Sequence, residues 1–225
     1  MLINIIQSLR DGNMEALKLS IAIALISIPI FMLAISLHET AHGFVAYKLG
    51  DPTAKSVGRL SLNPAKHFDV FGFIMLIFLG FGWAKPVPIN TRYFKNPKRD
   101  MAISALAGPV SNLLLAVVFA LLLKLYYSFF IFSVPTDAAY FIYLFLVLGI
   151  RLNITLAVFN LIPIPPLDGS RILLLFLPTN TYFKIMRYER YLSIGLMVAL
   201  AFGLLDRPIN LVSNFFLQLI TNLIF

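Results

Sequence analysis

Apolar residues do not alternate along this chain; they come in long runs. The first, LSIAIALISIPIFMLAISL at 19–37, lies in a segment, 17–48, that is long enough to cross a bilayer core as a helix, which takes about 20 residues. The next, VFGFIMLIFLGFG at 70–82, is too short to cross comfortably, and both loops around it are basic, so it is expected to be re-entrant or a short buried helix. Residues 101–132 predict a long helix, interrupted early by AGP at 107–109. SVPTD at 133–137 predicts a short turn on the opposite side, and 138–162 predict a return span. PIPPLDG (163–169) breaks that helix, and SRILLLFL (170–177) could complete the crossing. Residues 191–205 and 208–225 predict a final hairpin around DRP. Residues 1–16 are too polar for a separate span and do not read as a signal peptide.

The connectors between these runs are polar and punctuated by Gly and Pro. In WAKPVPINTRYF (83–94), Pro86 and Pro88 forbid a helix or a central strand but allow an edge strand. The expected fold is therefore an all-α polytopic membrane protein, one domain over 1–225. It has four to six membrane helices, a short re-entrant β-structure and a cytoplasmic C-terminus. No internal repeat is visible.

Composition supports the membrane reading. The 225 residues are 60% hydrophobic and 12% charged, with mean hydropathy +0.88, far from the balance of a soluble domain. The formal charge of +8 changes the picture little, because 13 of the 18 basic residues fall in three connectors. They are Lys48, Lys55, Arg59 and Lys66; then Lys85, Arg92, Lys95, Lys98 and Arg99; then Arg171, Lys184, Arg187 and Arg190. That is the distribution of cytoplasmic loops facing a bilayer, not of a nucleic-acid surface. Cysteine is absent, so disulfides are excluded and any metal must use His, Asp or Glu.

The candidate chemistry sits where the first long helix nears its end. HETAH at 38–42 puts His38 and His42 four apart, on one helical face, able to point at one cation. Glu39 between them suits a general base. With three His and three Glu in the chain, chance gives this pattern with a probability of roughly 5 × 10⁻⁴. Intramembrane His and Glu with no function would be buried polar groups in want of partners. A catalytic zinc takes three protein ligands and keeps one position open. His67, in a polar connector, is the weaker third ligand. Asp168 is the better one: it follows the Pro163–Pro166 break, and irregular backbone at membrane depth is tolerated only where it is buried or lines a wet cavity. The competing reading of Asp168 is an N-cap for 170–177. The motif begins about ten residues, roughly 15 Å, before the end of its helix, so the metal would lie inside the membrane towards the cytoplasmic face. Water would enter past 82–92 and 163–169. For the oxyanion, Asn160 is the first candidate donor and Asn112 the second; both also suit plain interhelical hydrogen bonding. Arg151 falls near mid-span without an acid on its helix, and Lys124 reads as a snorkelling side chain.

HETAHG (38–43), GRLSLNP (58–64), GWAKPVPIN (82–90), ALAGPVSN (105–112) and FNLIPIPPLDG (159–169), in that order, resemble the site-2 protease family of intramembrane zinc metalloproteases, in its compact bacterial and archaeal type. The resemblance implies His38, His42 and Asp168 as zinc ligands, Glu39 as catalytic base, and a re-entrant β-structure at 82–92. It implies hydrolysis of peptide bonds in or near transmembrane segments of protein substrates, from the cytoplasmic side of a prokaryotic inner membrane. A metal-ion transporter or channel is the alternative, which would want acids and histidines on several spans. A catalytically dead scaffold is weaker still, given the intact motif.

Overall fold

A computed structural model describes residues 2–79, 82–129 and 136–225. In chain order the helices are α1 (Leu2–Arg10), α2 (Met14–Lys48), α3 (Thr53–Ser56), α4 (Val70–Leu79), α5 (Pro97–Phe129), α6 (Thr136–Asn160), α7 (Asp168–Leu175), α8 (Thr179–Arg187), α9 (Glu189–Ala201) and α10 (Asp206–Ile224). Single 3₁₀ turns stand at Pro64–Lys66 and Thr91–Tyr93. Asn13 starts α2 by accepting the Ala16 N–H at 3.0 Å, satisfying one of the donors a helix N-terminus leaves free.

Among the described residues three helices are long and apolar enough to cross a membrane: α2, α5 and the part of α6 from Ala138 to Asn160. α9 and α10 make a fourth crossing if counted as one bent span. That pair was expected as a hairpin, but it bends by 81°. Residues 202–205 join the two helices, and the one left-handed residue there, Gly203 (φ +68°), turns the chain at the bend. The expected break at AGP is also absent. α5 continues through Pro109, whose fixed φ is helical and whose cost is one missing donor. Of the turn expected at 133–137, residues 133–135 lie outside the described ones.

The expected β-structure does not form: there is no strand among the described residues. The 82–90 segment is extended, but its hydrogen-bonding groups are used elsewhere. Pro86 and Pro88 carry no N–H. Three of the other donors are taken, as Lys85 N–H···O His67 (2.9 Å), Val87 N–H···Oε2 Glu39 (2.7 Å) and Asn90 N–H···Oδ2 Asp51 (2.7 Å). Arg59 Nη2 donates to the Lys85 and Pro86 carbonyls at 2.8 and 3.0 Å. The connector 49–69 thus clamps this segment against the end of α2.

In lipid, burial of apolar surface does not drive one helix onto another, so close packing must. Phe119, Leu123 and Tyr126 of α5 interdigitate with Leu146, Ile150 and Ile154 of α6 and with Ile220 and Ile224 of α10. Gly149 permits this approach, since a Cβ there would lie 2.4 Å from the Phe119 ring. α2 packs against both α5 and α6, which brings its HETAH segment to their shared face.

Candidate metal centre

His38 and His42 are both buried on α2 and project one helical turn apart. Each ring is fixed from behind through Nδ1. His38 Nδ1 lies 2.6 Å from Asn112 Oδ1, and His42 Nδ1 lies 2.7 Å from the Ser104 carbonyl. Both partners accept, so both Nδ1 atoms carry the proton and both Nε2 atoms turn a lone pair inward. Those two atoms are 3.0 Å apart. Asp168, at the start of α7, brings Oδ2 to 3.1 Å from His38 Nε2 and 3.3 Å from His42 Nε2.

Three inward-facing acceptors at this spacing repel one another unless a cation lies between them. Asp168 Oδ2 is buried and has no hydrogen-bond donor among the described residues. Zinc bonds of about 2.0 Å in a tetrahedron imply edges of about 3.3 Å, which the observed 3.0–3.3 Å spacings fit. Among the described residues these three side chains form the one cluster able to hold a metal ion.

Backbone makes this convergence possible. A Cβ on Gly108 would stand 2.5 Å from His42 Nε2 and 2.6 Å from His38 Cε1, so only glycine fits behind the rings. A Cβ on Gly169 would stand 2.1 Å from the Leu161 carbonyl oxygen, so glycine lets α7 start tight against the end of α6.

A cavity of about 580 Å³ opens on the cluster. Its walls include Glu39 and Ile35 of α2, Ala84, Pro86, Val87 and Ile89 of the extended segment, Asn160 at the end of α6, and Met197 of α9. Glu39 Oε2 is held by the Val87 N–H, while Oε1 has no partner among the described residues.

The M50 peptidase profile, described as peptidase family M50, matches residues 26–135 and 129–205. The chain belongs to peptidase family M50. It is 44% identical over 165 residues to a Bacillus subtilis (strain 168) protein, the match covering 71% of this chain and 73% of that one. A Methanocaldococcus jannaschii protein is 30% identical over 166 residues, covering 72% and 81%. A Mycolicibacterium smegmatis protein is 33% identical over 145 residues, covering 62% of this chain and 52% of its own. Each bears the name "Putative zinc metalloprotease", followed by YwhC, MJ0611 and Rip2 respectively. No solved structure matches the chain. M50 is the site-2 protease family, so this is a zinc-dependent protease built into a membrane, and nothing supports the transporter alternative.

Within this M50 peptidase, the cluster joins His38, His42 and Asp168, and Glu39 and Asn160 line the same cavity. Asn160 Nδ2 gives one hydrogen to the Leu156 carbonyl at 2.9 Å and keeps a second. Asn112 also borders the cavity, but its amide hydrogens are engaged elsewhere. It is fully buried, and its amide hydrogens go to the Ala34 carbonyl (3.3 Å) and Asn153 Oδ1 (3.0 Å). His67 stands apart from the cluster, buried and donating from Nε2 to the Ser61 carbonyl at 2.7 Å. Arg151 is exposed on α6. Three contributors escape a reading of the sequence for titratable residues: the Ser104 carbonyl, Gly108 and Asn153. The 104, 108, 112 spacing, one residue per turn on one face of α5, is the signal that could have revealed the first two.

Proposed function

We propose that this M50 peptidase, acting as one membrane-embedded domain over residues 1–225, hydrolyses peptide bonds in or next to membrane-spanning segments of substrate proteins. His38, His42 and Asp168 hold the zinc. Zinc bound there supplies a Lewis acid for the scissile carbonyl and for the attacking water. Glu39, anchored through Oε2, takes the proton of that water and passes it to the leaving amine. Asn160 offers its unspent amide hydrogen to the developing oxyanion. The cavity admits water and an unwound stretch of substrate along its extended wall.

A cytoplasmic-side site in a prokaryotic inner membrane is the location this reading favours. His42 lies six residues, or about 9 Å, before the end of α2, next to the basic connectors. The observation that carries the proposal is the convergence of two fixed imidazoles and an orphaned carboxylate oxygen beside a cavity-lining glutamate.

The test pairs metal analysis of wild type, Asp168→Ala and Glu39→Gln with cleavage of membrane-anchored substrates. Stoichiometric zinc in wild type, its loss in Asp168→Ala, and zinc without cleavage in Glu39→Gln are expected. Wild-type protein that cleaves nothing yet moves zinc across proteoliposomes would restore the transporter.

A further inference from the structure

The rings of His38 and His42 are fixed differently. His42 leans directly on a backbone carbonyl, which can only accept. His38 leans on Asn112, whose amide could present either its oxygen or its nitrogen. Turned the wrong way, it would donate to Nδ1, move the ring proton to Nε2 and spoil the metal-facing lone pair.

Two acceptors orient the Asn112 nitrogen, the Ala34 carbonyl at 3.3 Å and, closer, Asn153 Oδ1 at 3.0 Å. Asn153 is fully buried on α6. Its Nδ2 donates to the Gly149 carbonyl at 2.8 Å, and its Oδ1 receives Asn112 Nδ2 at 3.0 Å. A carbonyl cannot donate, so Gly149 forces the Asn153 nitrogen towards itself and the Asn153 oxygen towards Asn112. Asn112 must then turn its nitrogen to Asn153 and to the Ala34 carbonyl, leaving Oδ1 for His38. We propose that Asn153 is a positioning residue that, through Asn112, sets the His38 tautomer and so the readiness of the site for zinc. The relay crosses three helices, from a backbone carbonyl of α6 to an imidazole of α2, and each link has one allowed polarity. Gly149 serves it twice: its carbonyl is the anchor, and its missing Cβ lets α6 approach Phe119 of α5 closely enough for the two amides to meet.

This inference rests on His38 being a zinc ligand, and its test separates the two. Zinc affinity is measured by competition with a chromophoric chelator on the full chain in detergent. Wild type that binds no zinc removes the metal-centre reading itself. With wild type binding, Asn153→Leu is expected to weaken zinc by 10- to 100-fold, the usual effect of losing an outer partner of a ligand. Asn153→Asp is expected to stay within threefold. A carboxyl buried there without a cation is neutral, so its hydroxyl donates to Gly149 and its carbonyl accepts from Asn112. Thermal melts separate loss of fold from loss of metal.

A second readout needs no zinc. In ¹⁵N-histidine spectra of the apo protein, with the His38 signals assigned by their loss in His38→Asn, wild type and Asn153→Asp are expected to show the Nδ1–H tautomer. Asn153→Leu is expected to show a mixture. Asn153→Leu that keeps wild-type affinity and a pure Nδ1–H tautomer overturns the proposal. So does a wild-type His38 protonated on Nε2, whether or not the leucine variant folds.

Discussion

Gly108→Ala adds one methyl group behind the two ligand rings. Its Cβ would sit 2.5 Å from His42 Cε1 and Nε2 and 2.6 Å from His38 Cε1. Carbon atoms pack at about 3.5 Å, so something must yield by about 1 Å. The rings are the far ends of side chains and would ordinarily swing away at little cost. Here they cannot, because His38 is held by Asn112 at 2.6 Å and His42 by Ser104 at 2.7 Å. Either those bonds break or α5 withdraws from α2, and both move the donor atoms by several times the ~0.2 Å that metal coordination tolerates. A displacement of this size costs on the order of 100-fold in activity, and zinc affinity should fall at least tenfold. Helix propensity works in the opposite direction: alanine favours mid-helix over glycine by about 1 kcal/mol. The expected signature is thus a variant whose melting temperature is near that of wild type but whose zinc binding and cleavage collapse. Chelator competition, a melt and a cleavage assay on one preparation measure all three. A Gly108→Ala protein with wild-type zinc affinity would refute the claim that this glycine backs the site.

Gly169→Ala should act on the fold and not only on the site. Its Cβ meets the Leu161 carbonyl oxygen at 2.1 Å, a backbone atom, and melts should fall by several degrees along with loss of zinc. Glu39→Gln should keep zinc within a few-fold while slowing cleavage by about 10²–10⁴, read as kcat with unchanged metal content. Arg59→Met should free the Lys85 and Pro86 carbonyls and loosen the cavity wall, with a stability loss of about 1–2 kcal/mol in melts and a rise in KM larger than the fall in kcat.

Much of the site was legible because helical spacing is rigid. HETAH on an apolar run sets two imidazoles on one face, and the proline break presents a carboxylate; the imidazoles and Asp168 meet as that spacing leads one to expect. The readings that failed share one cause: each judged a segment alone. Pro86 and Pro88 permit an edge strand in isolation, but Glu39, Asp51 and His67 take the donors a strand would need. AGP looks like a helix break until one sees that the space left by Gly108 is filled by two rings from another helix. Asn112 reads equally as an oxyanion donor or as interhelical glue, and only its partners across α2 and α6 decide.

The same bookkeeping of hydrogen bonds explains how a water-using site can persist in a segment that excludes water. In lipid every polar group must find a partner inside the protein. Around this cluster most of them have: Ser104 bonds the His42 carbonyl through its hydroxyl, Asn112 donates to Asn153 and the Ala34 carbonyl, and the extended wall is tied down by α2 and Arg59. Among the described residues Arg59 Nε, His67 Nδ1 and Ser213 Oγ also lack a partner, but what stays unsatisfied at the cluster has one character. Two imidazole lone pairs and Asp168 Oδ2 call for a cation, while Glu39 Oε1 and the second hydrogen of Asn160 border the cavity beside them. Leaving these few open gives water, and a substrate peptide bond, a single destination.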